Sequence, residues 1–220
     1  MIERASPRVG GALLSYAHPG YRPARLSPIC RRSPRPTSAP PAAPIFAAQT
    51  THGIYHSTYS LMDSINNIAD YIILKAKSED GAASLINLKL QKLLYYVQAW
   101  SYGINKTKMF DGDFEAWIHG PVNRTIYDRF STTKSLYSEI NIEECLNKQV
   151  KLSDEDAEFV DFILENYLKY SGAELERLSH NERPWIETRG SLDVNERCNK
   201  VIPAELMKAY YGKKWQEINA

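Results

Sequence analysis

The chain has 220 residues and a nearly balanced charge, with 27 lysine and arginine side chains against 26 aspartate and glutamate. No apolar run approaches the roughly 18 residues that a membrane-spanning helix requires, so no such helix is expected. No G-x-S-x-G, P-loop or G-x-G-x-x-G motif occurs, which removes the common local signatures of hydrolases and nucleotide-binding folds. The three cysteines show no C-x-x-C spacing, as is typical of idle thiols in a reducing cytoplasm.

Charge divides the chain unevenly. Up to Leu61 there are nine of the twelve prolines and seven arginines against one acidic residue, Glu3, which gives +6. The remaining 159 residues hold 20 basic and 25 acidic side chains, which gives −5. A Pro/Arg/Ser-rich segment buries too little apolar area to offset its ordering entropy, so residues 1–61 are expected to be disordered. An organellar transit peptide, a nucleic-acid-binding arm, and a translated leader before a true start at Met62 are the three interpretations of this segment.

Helical periodicity begins directly after Met62. Asp63 or Ser64 is placed to cap a helix whose apolar side chains keep a 3, 4 spacing as far as Ala76. The polar stretch 78–81 predicts a short turn before the next helix, and so short a connection favours two antiparallel neighbours.

A long amphipathic helix is predicted next. Asn87 is a suitable N-cap, and Gly103 is the residue type that often follows a last helical turn. Apolar side chains recur on one face at Leu90, Leu93, Leu94, Val97 and Ile104. Tyr95 and Tyr96 are about 100° apart around the helix, so one of them is expected at the margin of the core or outside it.

A short strand is predicted from Phe114 to His119, because this stretch is rich in aromatic and β-branched residues. Gly120 and Pro121 are expected to end it, with Pro121 opening the following helix. On that helix, one stripe of side chains is predicted from Val122, Ile126 and Phe130.

Another helix is predicted from Ser153 onward. Ser153 with Asp156 three residues later resembles a capping box, and the acidic residues of the first turn favour the positive end of the helix dipole. Gly172 is expected to end this helix, and a short helix is predicted over 173–178.

The remaining segments complete a mainly α-helical domain, residues 62–220, with a small β element around Trp117. A helical turn is predicted at 140–145, an irregular loop at 190–200, and a last helix beginning at Pro203. The inward side chains of that last helix are predicted to be Leu206, Met207 and Tyr210. A domain of this length buries about 70% of its extended-chain surface, which suffices for one core without disulfides or metal.

Catalytic and metal-binding patterns are weak throughout. Glu143 and Glu144 precede Cys145, and their charge disfavours the thiolate that a nucleophile requires. His119 and His180 each stand without an H-x-x-H or H-E-x-x-H partner, so a structural role is favoured for both. An acidic cluster fits a solvated turn better than a calcium loop and consists of Asp111, Asp113 and Glu115. We therefore assign no catalytic, cofactor-binding or metal-binding residue.

Three segments resemble a known family. They are LQKLLYY at 90–96, EAWIHGPV at 115–122 and LSHNERPW at 178–185. In this order and spacing they are similar to the Panacea-domain antitoxins, the SocA-like group that includes GepA-like phage-associated proteins. The resemblance extends over roughly residues 62–212.

The resemblance implies a non-enzymatic antitoxin of a type II toxin–antitoxin system in a bacterial or prophage cytoplasm. It would neutralise a cognate protein toxin, encoded by an adjacent gene, through direct contact. A proteolytic adaptor that delivers the toxin to an ATP-dependent protease is the alternative mechanism, and a small enzyme is the alternative class. The domain's charge of −5 disfavours direct nucleic-acid binding, which depends on clustered lysine and arginine.

Residues within or beside these segments are the candidates for partner contact. Aromatic side chains anchor many protein interfaces, and an acidic, aromatic surface would suit a basic partner. The predicted contact residues are Gln91, Tyr95, Trp117, His119, Pro121, Trp185 and Arg189.

Overall fold

The computed structural model describes residues 63–78 and 83–220, so the expected disorder of 1–61 and most of the predicted turn at 78–81 lie outside it. Seven α-helices occur in this part of the chain: α1 (Ile65–Ala76), α2 (Asn87–Ile104), α3 (Arg124–Ser131), α4 (Asp154–Tyr167), α5 (Gly172–His180), α6 (Arg183–Arg189) and α7 (Ala204–Ile218). Strands β1 (Phe114–Trp117) and β2 (Gly120–Asn123) form an antiparallel hairpin between α2 and α3. The mainly α-helical class with a small β element is thus confirmed. No helix within the described ranges is long and apolar enough to cross a bilayer.

Helix α2 lies at the centre of the domain. Every residue from Asn87 to Gly103 is buried, because α1, α4, α5, α7 and the hairpin pack around it. Tyr95 and Tyr96 are both completely buried, so the expectation that one of them lies outside the core is wrong. An amphipathic pattern predicts a single buried face, whereas this helix is enclosed on all sides and uses its polar positions internally.

The N-terminus of α2 differs from the prediction. Ile86, not Asn87, is the N-cap, and it makes no side-chain capping bond. The backbone N–H of Asn87 donates to Ser138 at 3.0 Å and that of Leu88 donates to Leu136 at 2.8 Å. These carbonyl groups satisfy donors of the first turn, so no capping side chain is required.

Gly103 is not the helix terminus but a point of close contact. Helix α2 continues to Ile104 and is capped by Asn105. A Cβ atom on Gly103 would lie 2.6 Å from the Cβ of Tyr211 and 2.8 Å from its carbonyl carbon. Only glycine therefore permits α7 to cross α2 so closely.

The hairpin corrects the prediction for Pro121. Pro121 lies in β2 opposite Ala116, and helix α3 begins only at Arg124. Asn123 caps that helix, accepting from the backbone N–H of Ile126 at 3.2 Å. Gly120 follows the two-residue loop with φ of 88°, a conformation that favours glycine. Ile126 and Phe130 face the core from α3, whereas Val122 belongs to β2.

A third segment extends the sheet beside β1. The backbone N–H of Ala116 donates to Lys200 at 2.9 Å, and that of Ile202 donates to Phe114 at 2.7 Å. Residues 190–200 otherwise contain no helix or strand, in agreement with the predicted irregular loop.

The C-terminal helices follow the prediction in part. Ser153 caps α4 through the backbone N–H of Asp156, as predicted, and the turn at Ile142–Glu144 is a short 3₁₀ helix. Gly172 does not end α4, which stops at Tyr167, but opens α5 after the N-cap Ser171. A Cβ atom on Gly172 would lie 2.9 Å from the side chain of Ile86, so its role is close packing.

Helix α7 begins after Pro203, as predicted. Met207 is buried, as predicted, whereas Leu206 is only partly buried. Tyr211, not Tyr210, is the tyrosine of this helix that enters the core.

Candidate functional site

Two side chains of α2 cover the outer edge of β2. Gln91 accepts the backbone N–H of Asn123 through Oε1 at 2.9 Å and donates from Nε2 to the Asn123 carbonyl at 3.4 Å. Lys92 donates from Nζ to the carbonyl of Pro121 at 3.0 Å. A buried strand edge must satisfy its main-chain groups, and here the side chains of a helix replace a neighbouring strand.

Two side chains of α6 hold the first strand in the same manner. The indole N–H of Trp185 donates to the carbonyl of Trp117 at 3.0 Å, and Arg189 donates from Nη1 to the carbonyl of Ala116 at 3.0 Å. Arg189 also donates from Nη2 to the carbonyls of Asp193 and Glu196, both at 2.7 Å, which ties the following loop to the same helix. The hairpin is therefore fixed from both sides.

The outer face of the hairpin carries a cluster of aromatic and charged side chains. The rings of Trp117 and Tyr127 meet edge to face with centroids 4.8 Å apart, and the guanidinium of Arg124 lies 4.8 Å from the Trp117 ring. Glu115 accepts from the Trp117 indole at 2.6 Å and from Arg124 Nη2 at 3.0 Å. We call these four residues the hairpin cluster. Cation–π and edge-to-face contacts keep its side chains in one arrangement.

His119 lies exposed at the hairpin turn. Its Nδ1 atom is 2.9 Å from Oε1 of Glu176 on α5, which orients the ring. The ring of Tyr137 lies 6.5 Å away and is 63% exposed, so a second aromatic side chain is presented beside the turn.

Beneath the turn lie two basic side chains with lowered pKa values, the buried Lys92 and the half-buried His180. Burial lowers the pKa of Lys92 to about 7, with the charge of Glu176 opposing the shift. Burial likewise lowers the pKa of His180 to about 4, and the His180 ring stacks on Trp185 with centroids 4.0 Å apart. Nε2 of His180 is buried without a hydrogen-bond partner. Below the hairpin, Lys92 therefore acts as a hydrogen-bond donor and His180 as a packing group.

A cavity of about 380 Å³ opens between the hairpin turn and the loop 197–199. The side chains that matter for its chemistry are Trp117, His119, Arg124, Tyr127, Arg197 and Cys198. Its volume lies within the range of small-ligand and side-chain pockets, and its wall combines aromatic and cationic groups.

Comparison with known proteins gives a family match over part of the chain. Residues 90–186 match the model described as "Antitoxin SocA-like, Panacea domain". Over these residues the chain carries a Panacea domain. No curated protein and no solved structure matches the chain. The matched part of the Panacea domain includes Gln91 and Lys92, the whole hairpin and Trp185, whereas Arg189 and Arg197 lie beyond it.

The seven contact residues predicted from sequence fall into two groups in the Panacea domain. Trp117 and His119 reach the surface on the hairpin. The other five are buried and bind or pack against the domain itself: Gln91, Tyr95, Pro121, Trp185 and Arg189. Their contact with a partner stays a prediction, and the geometry gives each of them an internal role.

Sequence reasoning missed three residues of the site. Arg124 and Tyr127 lie three apart at the start of α3, a spacing that places two side chains on one helical face and could have identified them. Arg197 lies in an irregular loop, where no periodicity indicates the direction of a side chain.

No group of three potential metal ligands occurs in the described ranges. Cys145 is buried, and desolvation raises its pKa to about 11, with the charge of Asp70 contributing in the same direction. A thiol in this environment stays protonated and is a poor nucleophile.

Proposed function

We propose that this chain is an antitoxin that neutralises a protein toxin by direct binding, and that the hairpin cluster with His119 is the contact surface. The observation that carries the proposal is the convergence of all three family-like segments on one hairpin. The first segment supplies Gln91 and Lys92, the second is the hairpin itself, and the third supplies Trp185.

The composition of this surface supports a role in protein binding. Tryptophan, tyrosine and arginine are the residue types that contribute most to binding energy at protein interfaces. Trp117, Tyr127 and Arg124 supply all three types within one contact network. A surface that is already ordered loses less conformational entropy on binding, which favours affinity.

The buried residues of the family-like segments act indirectly in this proposal. Gln91, Trp185 and Arg189 fix the hairpin main chain, and Pro121 lies in the strand that they help to hold. Tyr95 packs edge to face against Phe114, the first residue of β1. Substitutions at these positions would therefore affect neutralisation through the geometry of the hairpin.

The partner we propose is a toxin encoded by an adjacent gene and encountered in a bacterial or prophage cytoplasm. Nucleic acid is a poor candidate, because residues 62–220 carry a charge of −5 and phosphate binding requires clustered cations. The proposed role is occlusion of the toxin and requires no catalysis by this chain.

Co-expression tests the proposal. The full chain is expressed with the product of the neighbouring open reading frame, and growth and co-purification are measured. We expect restored growth together with a stable complex. Toxicity that the chain does not relieve would contradict the proposal. Relief that disappears in a host lacking ATP-dependent proteases would replace occlusion with delivery to a protease.

Trp117→Ala tests the contact surface. Loss of a central aromatic anchor costs about 2 kcal/mol or more of binding energy, so the dissociation constant should rise about 30-fold. Trp215→Ala, on α7 and away from the hairpin, is the matched control and should leave binding affinity unchanged. Thermal unfolding of both variants shows whether each remains folded. Equal affinity in the two folded variants would exclude the hairpin cluster as the contact surface.

A further inference from the structure

The cavity beside the hairpin cluster has an unusual charge for this domain. Two arginines, Arg124 and Arg197, lie in its wall, and the residues that line it include no aspartate or glutamate. Residues 62–220 as a whole carry a charge of −5. Among the described residues Arg124 pairs with Glu115, so the uncompensated positive charge of the cavity comes from Arg197.

The two arginines have unused hydrogen-bonding capacity. Arg124 donates to Glu115 from Nη2 alone, at 3.0 and 3.4 Å, which leaves its other N–H groups available. Arg197 makes no hydrogen bond or ion pair with any residue in the part of the chain that the structure describes. A guanidinium group presents five donors in a planar fork that matches a carboxylate, so both groups are suited to bind one.

The wall of the cavity is rigid on both sides. Trp185 binds the carbonyl of Trp117, and the N–H of Ala116 is bonded to Lys200, which follows the loop 197–199. Cys198 is 5% exposed and anchors that loop in the interior. Arg197 is therefore presented from a fixed main chain, which limits the entropy cost of ordering it on binding.

We propose that this cavity binds an acidic side chain of the toxin, an aspartate or glutamate whose carboxylate pairs with Arg197 and Arg124 beside the Trp117 ring. The inference rests on the proposed function and specifies its partner. Partial enclosure by the aromatic rings strengthens such a pair relative to one in open solvent.

The charge pattern also indicates how the site would discriminate between partners. An acidic domain attracts a partner of positive overall charge at long range, as the sequence suggests, and this effect weakens with salt. The cavity then requires a negative side chain at one position. The domain as a whole favours a positive partner, whereas the cavity favours a negative side chain. A toxin with a uniformly basic surface would leave the two arginines unpaired, so this combination makes recognition specific.

Charge reversal tests the inference. The dissociation constant for the co-purified toxin is measured by titration calorimetry with the full chain and its Arg197→Glu variant. Arg183→Glu is the matched control, because it changes the net charge equally at an exposed position on α6 outside the cavity. We expect Arg197→Glu to weaken binding by at least tenfold and Arg183→Glu by less than about threefold. Arg197→Gln, which removes the charge without reversing it, should give an intermediate loss and serves if Arg197→Glu does not fold.

The outcomes separate the inference from the proposed function. Recovery of affinity when an acidic residue of the toxin is changed to arginine, in combination with Arg197→Glu, supports the pairing. A wild-type complex whose affinity responds equally to changes at Arg197 and Arg183 overturns the inference alone. Absence of any wild-type complex overturns the proposed function, and the inference with it.

Discussion

Helix α2 and the hairpin both carry family-like sequence, yet they use it in opposite ways. The side chains of LQKLLYY on α2 are all buried, including a lysine, a glutamine and two tyrosines. The hairpin buries Phe114 and Ala116 and presents Glu115 and Trp117 on its other face. Family-like sequence in this domain therefore marks both the scaffold and the surface that the scaffold supports.

Several polar side chains of α2 form hydrogen bonds although the helix is enclosed on all sides. Lys89 donates to the carbonyl of Ser84 at 3.0 Å, and Gln98 donates to that of Phe110 at 3.1 Å. Together with Gln91 and Lys92, they bind main-chain groups on segments that precede and follow the helix. Buried polar groups are tolerated when they are paired, and here each pair also fixes a loop or strand.

Among changes in helix α2, Tyr95→Ala is expected to have the largest effect on the free energy of unfolding. Tyr95 is completely buried and contacts the rings of Tyr96, Phe114 and Tyr211. Removing a buried aromatic side chain costs about 3–5 kcal/mol, which approaches the total stability of many domains. Chemical denaturation should show this loss, and neutralisation should fail because the domain unfolds.

Tyr95→Phe is the matched control for that experiment. The hydroxyl of Tyr95 meets that of Tyr211 at 3.5 Å, a long contact, so its removal should cost about 1 kcal/mol or less. Neutralisation should persist in this variant. If Tyr95→Ala retained full stability and lost only toxin binding, Tyr95 would belong to the contact surface. The assignment of the buried α2 side chains to the scaffold would then be wrong.

Gln91→Ala is expected to have the next largest effect, because it breaks the link between the two regions. The buried N–H and carbonyl of Asn123 would lose their side-chain partners, at a cost of about 2–3 kcal/mol in the free energy of unfolding. Gln149→Ala, at an exposed position, should change stability by less than about 0.5 kcal/mol. Amide hydrogen exchange should locate the increased opening in β2, and unchanged exchange there would refute the edge-covering role of Gln91.

Local sequence signals predicted those elements whose ends are set by their own residues. The caps at Ser64 and Ser153 and the start of α7 after Pro203 follow from rules that act within one turn. The failures at Asn87 and Gly103 have a common cause. A distant segment, 136–138 or α7, supplies the hydrogen bond or the close contact, and a local rule does not detect it.

The candidate site was predicted only in part, for a similar reason. The family-like segments located the hairpin, and Trp117 and His119 were identified with it. Sequence alone did not separate surface residues from supporting ones, because tyrosine, glutamine and arginine occur in both roles. Arg189 is 3% exposed and binds four main-chain carbonyls, an environment that only the folded loop creates.

Lys92 allows a test of whether water is excluded from the edge of β2. Its Nζ atom is buried and donates to the Pro121 carbonyl. A lysine side chain in water stays charged up to high pH. Burial lowers its pKa from 10.5 to about 7 in the folded protein. Between these values the unfolded chain binds a proton that the folded protein does not. The free energy of unfolding should therefore rise with pH through this window, by at most about 1.4 kcal/mol per pH unit.

Urea denaturation at several pH values between about 7 and 9.5 measures this slope of stability against pH. Lys92→Met should remove part of the wild-type slope, whereas Lys151→Met, at an exposed position, should retain it. Lys89 shifts in the same direction as Lys92, so the difference between wild type and variant isolates the latter. The buried tyrosines have raised pKa values and act only at higher pH. Identical slopes in wild type and Lys92→Met would mean that water reaches Nζ. The edge of β2 would then be open to solvent, and Lys92 would not cover it.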